Sequence, residues 1–454
     1  MSKISRRQML QSGLSVAAGI AAAAPSVVSA DQISLAGNQT SQQANTLNVN
    51  PCRIENGMVI RPQQGIPVIS QTDVLVVGAG PAGCTAAIAT ARAGVKVTLV
   101  ERYNHFGGLA TGGLVLKILG HWSRQSKGDT PVSVCQGIGE EYMQRLESMP
   151  YGIINRQLGV NPDIDAEAYK YLLLEMLTEV NVEILLHSWA VNAIMDGSVC
   201  KGAIFECKSG PHAVLAKQVI DTTGDGDIFA AAGASCQVRK FAAGLVHRLG
   251  GLDTIDASKR QGTPPLRGLG DVTPVPGVRW VNMSGPAVNG IDVKELTRLE
   301  IAHRKHIWQD YLNLKKQPGC EKVFLAEIAP QMGVRVTRVI DGVKTLTQEG
   351  LKSNQTFDDC VGYSGAWFAN HQKWQIPFGS LLPKNVENII TAGRSISGEP
   401  KMSDVIRVIP TCWVSGHAAG CAAAVAVKSA VKIIRQVNIS DVRDLLRTQK
   451  AFLG

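Results

Sequence analysis

The sequence predicts an α/β protein in which a parallel sheet carries an antiparallel meander and is interrupted by an inserted α+β domain. Three observations predict it. Residues 73–101, DVLVVGAGPAGCTAAIATARAGVKVTLVE, read as a strand, a glycine turn, a helix and a second strand ending in an acid. Residues 190–195, 201–207 and 213–215 alternate in polarity as the strands of a meander do. Far downstream, Asn388-Ile389-Ile390-Thr391-Ala392-Gly393-Arg394 returns to an apolar strand and a glycine turn. The first of these is the layout of a Rossmann-like dinucleotide-binding unit.

The first 30 residues read as a twin-arginine export signal. Ser5-Arg6-Arg7-Gln8-Met9-Leu10 precedes a mildly apolar Ala/Gly run, and Val28-Ser29-Ala30 forms a small-residue cleavage site. The apolar run at 16–24 is too short for the roughly 20 residues of a membrane span. The expected address is the periplasm, reached by a route that carries folded, cofactor-loaded proteins. Residues 31–70, rich in Gln, Asn and Ser, read as an extended leader.

In the unit itself, Gly78 allows the tight turn, Gly80 lets a pyrophosphate approach the backbone, and Gly83 lets the helix pack close to the sheet. The phosphates would sit on the helix N-terminus. Glu101 stands near the spacing of roughly 20 residues expected of a carboxylate on a ribose hydroxyl. The loop from Arg102 to Gly113 is dense in glycine, which suits close backbone approach to a ligand. Helices are expected at 139–149 and 166–178, a buried strand at 182–186, and a parallel-type strand at 217–221 leading into Asp221-Thr222-Thr223-Gly224-Asp225-Gly226-Asp227. From 241 the texture changes, with Pro and Gly between 263 and 290, a charged helix at 293–314 and aromatic clusters at 363–374. The late strand and turn are followed by a helix at 413–426. The resulting division is a signal at 1–30, a leader at 31–70, a nucleotide domain at 71–240 and 376–435 around an inserted substrate or cap domain at 241–375, and a C-terminal helix at 436–454.

A chain of 454 residues with 45% apolar content has ample core for two or three domains. Its formal charge of +9 includes Lys3, Arg6 and Arg7 of the signal, so the mature chain carries +9 − 3 = +6. The basic residues are scattered without runs or interleaved aromatics, which argues against nucleic-acid binding. Ten cysteines occur singly with no metal-ligand or CxxC spacing, so they read as buried thiols and no metal is expected.

The glycine turn alone does not choose between FAD and a nicotinamide cofactor. Three features favour FAD: a single fingerprint, since Gly268-Leu269-Gly270 lacks a preceding strand and a third glycine; the Gly107/Gly108 loop; and the late Gly393 turn ahead of a helix N-terminus, whose positive end would stabilise an anionic reduced flavin.

Taken with these motifs, the chain resembles the FAD-dependent oxidoreductases related to the fumarate reductase and glutathione reductase-like superfamily. The resemblance rests on VVGAGPAGCTAA, ERYNHFGGLATGG, VIDTTGDGD at 219–227, MGVRVTR at 332–338, IPFGSLLPKNVENIITAGRSIS at 376–397 and RVIPTCWVSGHAAGCAAA at 407–424. It implies that Gly78, Gly80, Ala82 and Gly83 hold the pyrophosphate, with Glu101 and Arg102 at the adenosine ribose. It places Gly107, Gly108 and Thr111 toward the flavin, the Ala190 backbone at adenine, and Gly224 and Asp225 over the nucleotide. Gly393, Arg394, Thr411 and Cys412 would lie along the ribityl chain and ring. His105 does not reproduce the spacing of a covalent flavin attachment, so the FAD is expected to be noncovalent. The CxxxxC of disulfide reductases is absent after Glu101.

Candidates for the chemistry are Arg407, Arg335 and His371, with His247, His303, Arg338 and Tyr363 behind them. A guanidinium clamps a carboxylate through two contacts, and an imidazole shuttles protons. For Arg335 and Arg338 the competing role is a structural ion pair; for Trp367 and Trp374 it is core packing. The expected activity is hydride transfer between flavin and a small organic substrate, with electrons exchanged with a protein or quinone partner. An FAD oxidase using oxygen and a flavin-bearing electron-transfer or assembly subunit are the alternatives.

Overall fold

The computed structural model describes residues 51–124, 128–366 and 371–454; the signal, the start of the leader and Trp367 lie outside them. Residues 51–62 belong to a separate unit. In it Arg53–Glu55 and Met58–Ile60 pair antiparallel across Asn56-Gly57. Both turn residues have positive φ (50° and 77°), the geometry that favours Asn-Gly in two-residue hairpins. This stretch was expected to be extended leader.

The second unit is mixed α/β. Its first strand, β1 (Val68–Val77), starts before the expected Asp73 and ends at the glycine turn. Helix α1 (Pro81–Arg92) and strand β2 (Val97–Val100) follow. Next come α2 (Ile138–Glu147), α3 (Ala166–Glu179), β3 (Glu183–Leu185), β4 (Trp189–Asp196), β5 (Val199–Cys207) and β6 (Gly210–Asp221). The third meander strand and the parallel strand were expected to be separate; they are one strand, β6. Lys217, the polar break in the pattern, reaches Asp73 of β1 at 2.7 Å. The front half of β6, residues 210–215, pairs antiparallel with β5, while residues 213–221 run parallel to β1. β1 is parallel to β2, and β2 to β3.

After β6 the chain builds smaller antiparallel sheets from β7 (Lys240–Gly244), β8 (His247–Gly250), β9 (Arg279–Val281) and β10 (Phe324–Ile328), with helix α4 (Val293–Lys315) among them. A hairpin of β11 (Cys360–Gly365) and β12 (Lys373–Pro377) comes next. The late strand β13 (Ile389–Thr391) then returns to the main sheet, parallel to the rear half of β6. Helix α5 (Ile409–Lys428) is longer than the expected 413–426 because Pro410 sits in its first turn, where a missing N–H is tolerated. Helix α6 (Ile439–Thr448) closes the unit.

Small residues let α5 lie directly on α1. A Cβ on Gly416 would stand 2.2 Å from the Ala82 carbonyl oxygen, and one on Gly420 2.4 Å from that of Ala86. The Trp413 indole N–H donates to the Tyr169 hydroxyl at 2.8 Å, and Tyr142 packs against both rings, tying α2, α3 and α5 together. Among the described residues no single helix is long and apolar enough to cross a membrane; α5 is apolar because it is core.

His417 of α5 is buried, with its Nε2 2.9 Å from Gln449 Oε1. Burial lowers its pKa from 6.5 to about 4, so the unfolded chain takes the proton first. Its contribution to stability is therefore complete above pH 6.5 and is lost as pH falls through the window down to about 4. We expect His417→Gln to reduce the loss of unfolding free energy between pH 7 and pH 4 by up to about 3 kcal/mol. Urea titrations at the two pH values check this; an unchanged acid loss would refute it.

Candidate cofactor and active site

The glycine turn is built by contact. Gly78 has φ +98°, and a Cβ there would stand 2.6 Å from the Thr222 carbonyl oxygen. A Cβ on Gly83 would lie 1.8 Å from the Gly78 carbonyl oxygen. The Thr222 hydroxyl donates into the same knot, to the carbonyls of Val77 (2.8 Å) and Gly78 (2.7 Å). Gly80 differs: a Cβ on it would meet no atom within 4 Å. Gly80 is the N-cap of α1 without a side-chain cap, and no acid stands in the first turn. The N-terminus of α1 thus presents its partial positive charge to open space, which suits a pyrophosphate.

Glu101 is buried and braces the turn. Its carboxylate accepts the backbone N–H of Ala79 at 2.7 Å and of Tyr103 at 2.9 Å. The Arg102 guanidinium lies between two rings, Tyr103 (4.9 Å to the centroid) and Trp189 (4.7 Å), next to Ala190. The glycine-rich loop then folds back over the turn. Gly107 N–H donates to the Ala79 carbonyl at 2.8 Å, and a Cβ on Gly108 would stand 3.0 Å from Gly80 Cα. Thr111 is buried with its hydroxyl on the Phe106 carbonyl at 2.5 Å.

The acidic segment after β6 is mostly structural. Asp221 is fully buried and accepts the N–H groups of Ile228 and Phe229, capping the short helix Asp227–Ala231. Asp225 is a hub: it pairs with Arg394 at 3.1 Å and accepts the Thr337 hydroxyl at 2.9 Å, with Arg102 at 4.0 Å. The Arg394 guanidinium covers Gly224. Arg338 takes the structural role, pairing with Asp227 at 3.0 Å. Burial, then the charges of Asp225 and Asp221, raise the Asp227 pKa to about 6.

The late turn closes the ring of contacts. Gly393 has φ +85°, a Cβ there would lie 3.2 Å from Ala82 Cβ, and its N–H donates to Ser415 Oγ at 3.0 Å. Cys412 stands next to it, its thiol raised by burial to about 12, so it packs as a neutral group. Thr411 shares a 2.7 Å hydrogen bond with Ser364 of β11. Helix α5, like α1, begins without a side-chain cap or a first-turn acid.

The structure therefore brings Gly78, Gly80, Ala82, Gly83, Glu101, Arg102, Gly107, Gly108, Thr111, Gly224, Asp225, Gly393, Arg394, Thr411 and Cys412 into one contact network, with Ala190 flanking Arg102 through Trp189. The three catalytic candidates divide. Among the described residues Arg335 hydrogen-bonds neutral acceptors, the Ala242 carbonyl, Ser284 Oγ and Asn282 Oδ1. Burial and the nearby charge of Arg407 lower its pKa, with Asp404 opposing. Arg407 also binds Asp404 and lies over the Phe241 ring. His371 sits elsewhere, stacked on Trp122 with centroids 4.0 Å apart. Tyr363 is held by Gln375 and Phe452, and His247 and His303 are buried among β8, α4 and their neighbours.

Sequence reasoning missed Gln331, whose N–H donates to the Gly112 carbonyl at 3.0 Å, and Ser415 under Gly393. Gln331 stands just before the 332–338 motif and Ser415 within the 407–424 motif, but only the packed chain shows what each one holds.

The family described as FAD dependent oxidoreductase matches residues 73–249 and 253–446. A digeranylgeranylglycerophospholipid reductase of Methanopyrus kandleri is 27% identical over 170 residues, which is 34% of this chain and 39% of that protein. The match thus spans about two fifths of that relative. Among solved structures, a geranylgeranyl bacteriochlorophyll reductase-like protein of Thermoplasma acidophilum aligns over 84% of this chain and 83% of its own, at 15% identity and TM-score 0.44. The flavin-dependent brominase Bmp2 aligns over 83% of each chain at 13% identity and TM-score 0.46.

Proposed function

The chain belongs to the FAD dependent oxidoreductase family, and on that premise we propose that it is an exported dehydrogenase or reductase acting on a small organic substrate that bears a carboxylate. What supports the substrate class is the Arg335 and Arg407 pair: Arg335 holds the Ala242 carbonyl, Arg407 lies over the ring of the adjacent Phe241, and Arg335 makes no ion pair among the described residues. Bound FAD supplies hydride chemistry. The protein's part is binding and orientation. The open face of Gly80 and the N-terminus of α1 receive the phosphates, with Glu101 and Arg102 at the nucleoside end. The uncapped start of α5 offers positive potential where negative charge develops. Arg335 and Arg407 clamp the carboxylate and set the substrate's orientation.

In this reading residues 241–375 supply the substrate side of the site, and the twin-arginine motif places the loaded enzyme in the periplasm. The single glycine fingerprint supports a protein or quinone as electron partner.

The test is anaerobic bleaching of the flavin absorbance against hydroxy acids, enoic acids, and terpenoid and steroid alcohols. We expect an acid to bleach it, and Arg407→Lys to lower kcat/KM for that acid by about 100-fold, since an ammonium does not reproduce the two-pronged contact. Rapid stoichiometric reduction by NADH would overturn the partner assignment, and release of hydrogen peroxide with substrate would make the enzyme an oxidase.

A further inference from the structure

Helix α4 turns one side to the core and leaves another uncovered among the described residues. Leu299, His303 and Ile307 are its buried side, and Leu299 packs with Ala243 and Val288. Away from that side, Val293, Thr297, Ile301, Arg304 and Trp308 follow one another in steps of four, four, three and four, the spacing of a single stripe on a helix of about 3.6 residues per turn. Val293 is 73% exposed, Ile301 52% and Trp308 54%. The Trp308 ring lies against that of Tyr311, with centroids 5.4 Å apart. Apolar residues exposed singly are ordinary, whereas a line of them with an aromatic pair marks an interaction surface.

The cations of the helix border the same stripe. Lys294, Arg298 and Lys305 each follow a stripe residue by one position, and Lys316 stands at the C-terminal cap. None of the four makes an ion pair among the described residues; Arg298 donates to the Lys294 carbonyl of its own helix at 3.3 Å. The acids are placed otherwise. Glu295 and Asp310 lie on the far flank, where Glu295 accepts the Asn289 N–H at 2.8 Å and Asp310 stands 3.1 Å from His306. Glu300 borders the stripe, and Arg304 holds it at 2.6 Å. A surface hollow of about 590 Å³ runs beside the first turns, lined by Val293, Lys294, Thr297 and Arg298, so that two unpaired cations and an exposed apolar side chain share one space.

A face of this composition complements a surface that is negative outside and apolar beneath. We propose that the exposed face of α4 docks on a phospholipid surface that carries anionic headgroups. Val293, Ile301 and Trp308 enter the boundary between headgroups and acyl chains, where an aromatic ring with a polar edge is well placed. Lys294, Arg298, Lys305 and Lys316 extend their stems along the apolar layer and set their charges against the phosphates. A second copy docked two-fold on this face would instead bring like charges together. The assignment stands on α4 alone and holds whatever the flavin oxidises.

The test uses the purified holoprotein and flotation with phosphatidylcholine vesicles, with and without about one part in four of phosphatidylglycerol. We expect binding to the anionic vesicles, little to the neutral ones, and a decline as salt rises. The triple variant Lys294→Gln, Arg298→Gln, Lys305→Gln should partition about 100-fold more weakly, at about fivefold per cation. A control triple, Lys201→Gln, Lys208→Gln, Lys384→Gln, changes the net charge equally at exposed positions elsewhere and should lose less than about threefold. Trp308→Ser should lose about tenfold with the charge unchanged. Flavin absorbance and melting temperature should match the parent in every variant, since each site is exposed. Absence of binding to anionic vesicles, an equal loss in the control triple, or unchanged binding by Trp308→Ser overturns the proposal. A dimer in solution that Trp308→Ser dissociates would give the face to a second copy and overturn it as well.

Discussion

Gly80→Ala is expected to purify as a folded, colourless protein, while Gly83→Ala is expected to fail as a fold. The two glycines are three positions apart in one motif, yet their surroundings differ. At Gly80 the backbone is extended (φ −70°, ψ −175°), which alanine adopts freely, and the added Cβ meets no protein atom within 4 Å. Stability should fall by less than about 1 kcal/mol, the scale of a helix N-cap change. The methyl would occupy the space in front of α1, so FAD affinity should drop by about 100-fold or more, equivalent to about 2.7 kcal/mol. At Gly83 the new Cβ would lie 1.8 Å from the Gly78 carbonyl oxygen and 2.6 Å from Thr222 Oγ1. The turn must open, at a cost of about 3 kcal/mol or more. Circular dichroism melting and the 450 nm absorbance of the purified variants, at about the usual flavin wavelength, separate the two outcomes. A yellow Gly80→Ala protein with unchanged affinity would remove the phosphate assignment.

Asp225→Ala should lower stability by about 2–4 kcal/mol. Its carboxylate and the Arg394 guanidinium are 17% and 14% exposed, so the pair is mostly dry, and removing one partner strands the other charge. Thr337 loses its acceptor as well. Arg394 would still hold the Val334 carbonyl, and Arg338 would keep Asp227, which limits the damage to the hub. For a chain of this size the melting temperature should fall by about 2–4 °C. The double variant Asp225→Ala, Arg394→Met should recover part of the loss, because the stranded charge is gone. A double variant no more stable than the single would mean that the hub acts through its hydrogen bonds rather than through charge.

Much of the sheet was legible because its parallel strands carry short apolar runs, as at 74–77 and, around the buried Thr98, at 97–100. Gly78 and Gly83 were legible for a stronger reason: each answers a steric demand of the packed turn, whereas Gly80 keeps open the space that a ligand would take. The misses came where a local signal had a tertiary explanation. Lys217 looked like a break, yet it bridges to Asp73 from within a continuous strand. The last long helix was expected from Trp413, yet it opens at Ile409 with Pro410 in its first turn. Asn56-Gly57 was a hairpin signal passed over because the surrounding stretch is polar. His121 carried no signal at all. Its burial is set by Gly120, Cys135 and the distant β11 hairpin, none of which a local pattern reveals.

The crossing of α1 by α5 has a consequence for how the protein is made. Thr90 of α1 hydrogen-bonds the Gly420 carbonyl 330 positions along the chain, and strand β13 enters the sheet only after β11 and β12. During synthesis the glycine turn emerges early and waits, with its roof and the strand that covers the far edge of β6 still untranslated. Contacts of such long separation slow folding. Cofactor capture is then an event of the completed chain, and a ribosome that stops short of α5 leaves an open sheet flank with nothing to seal it.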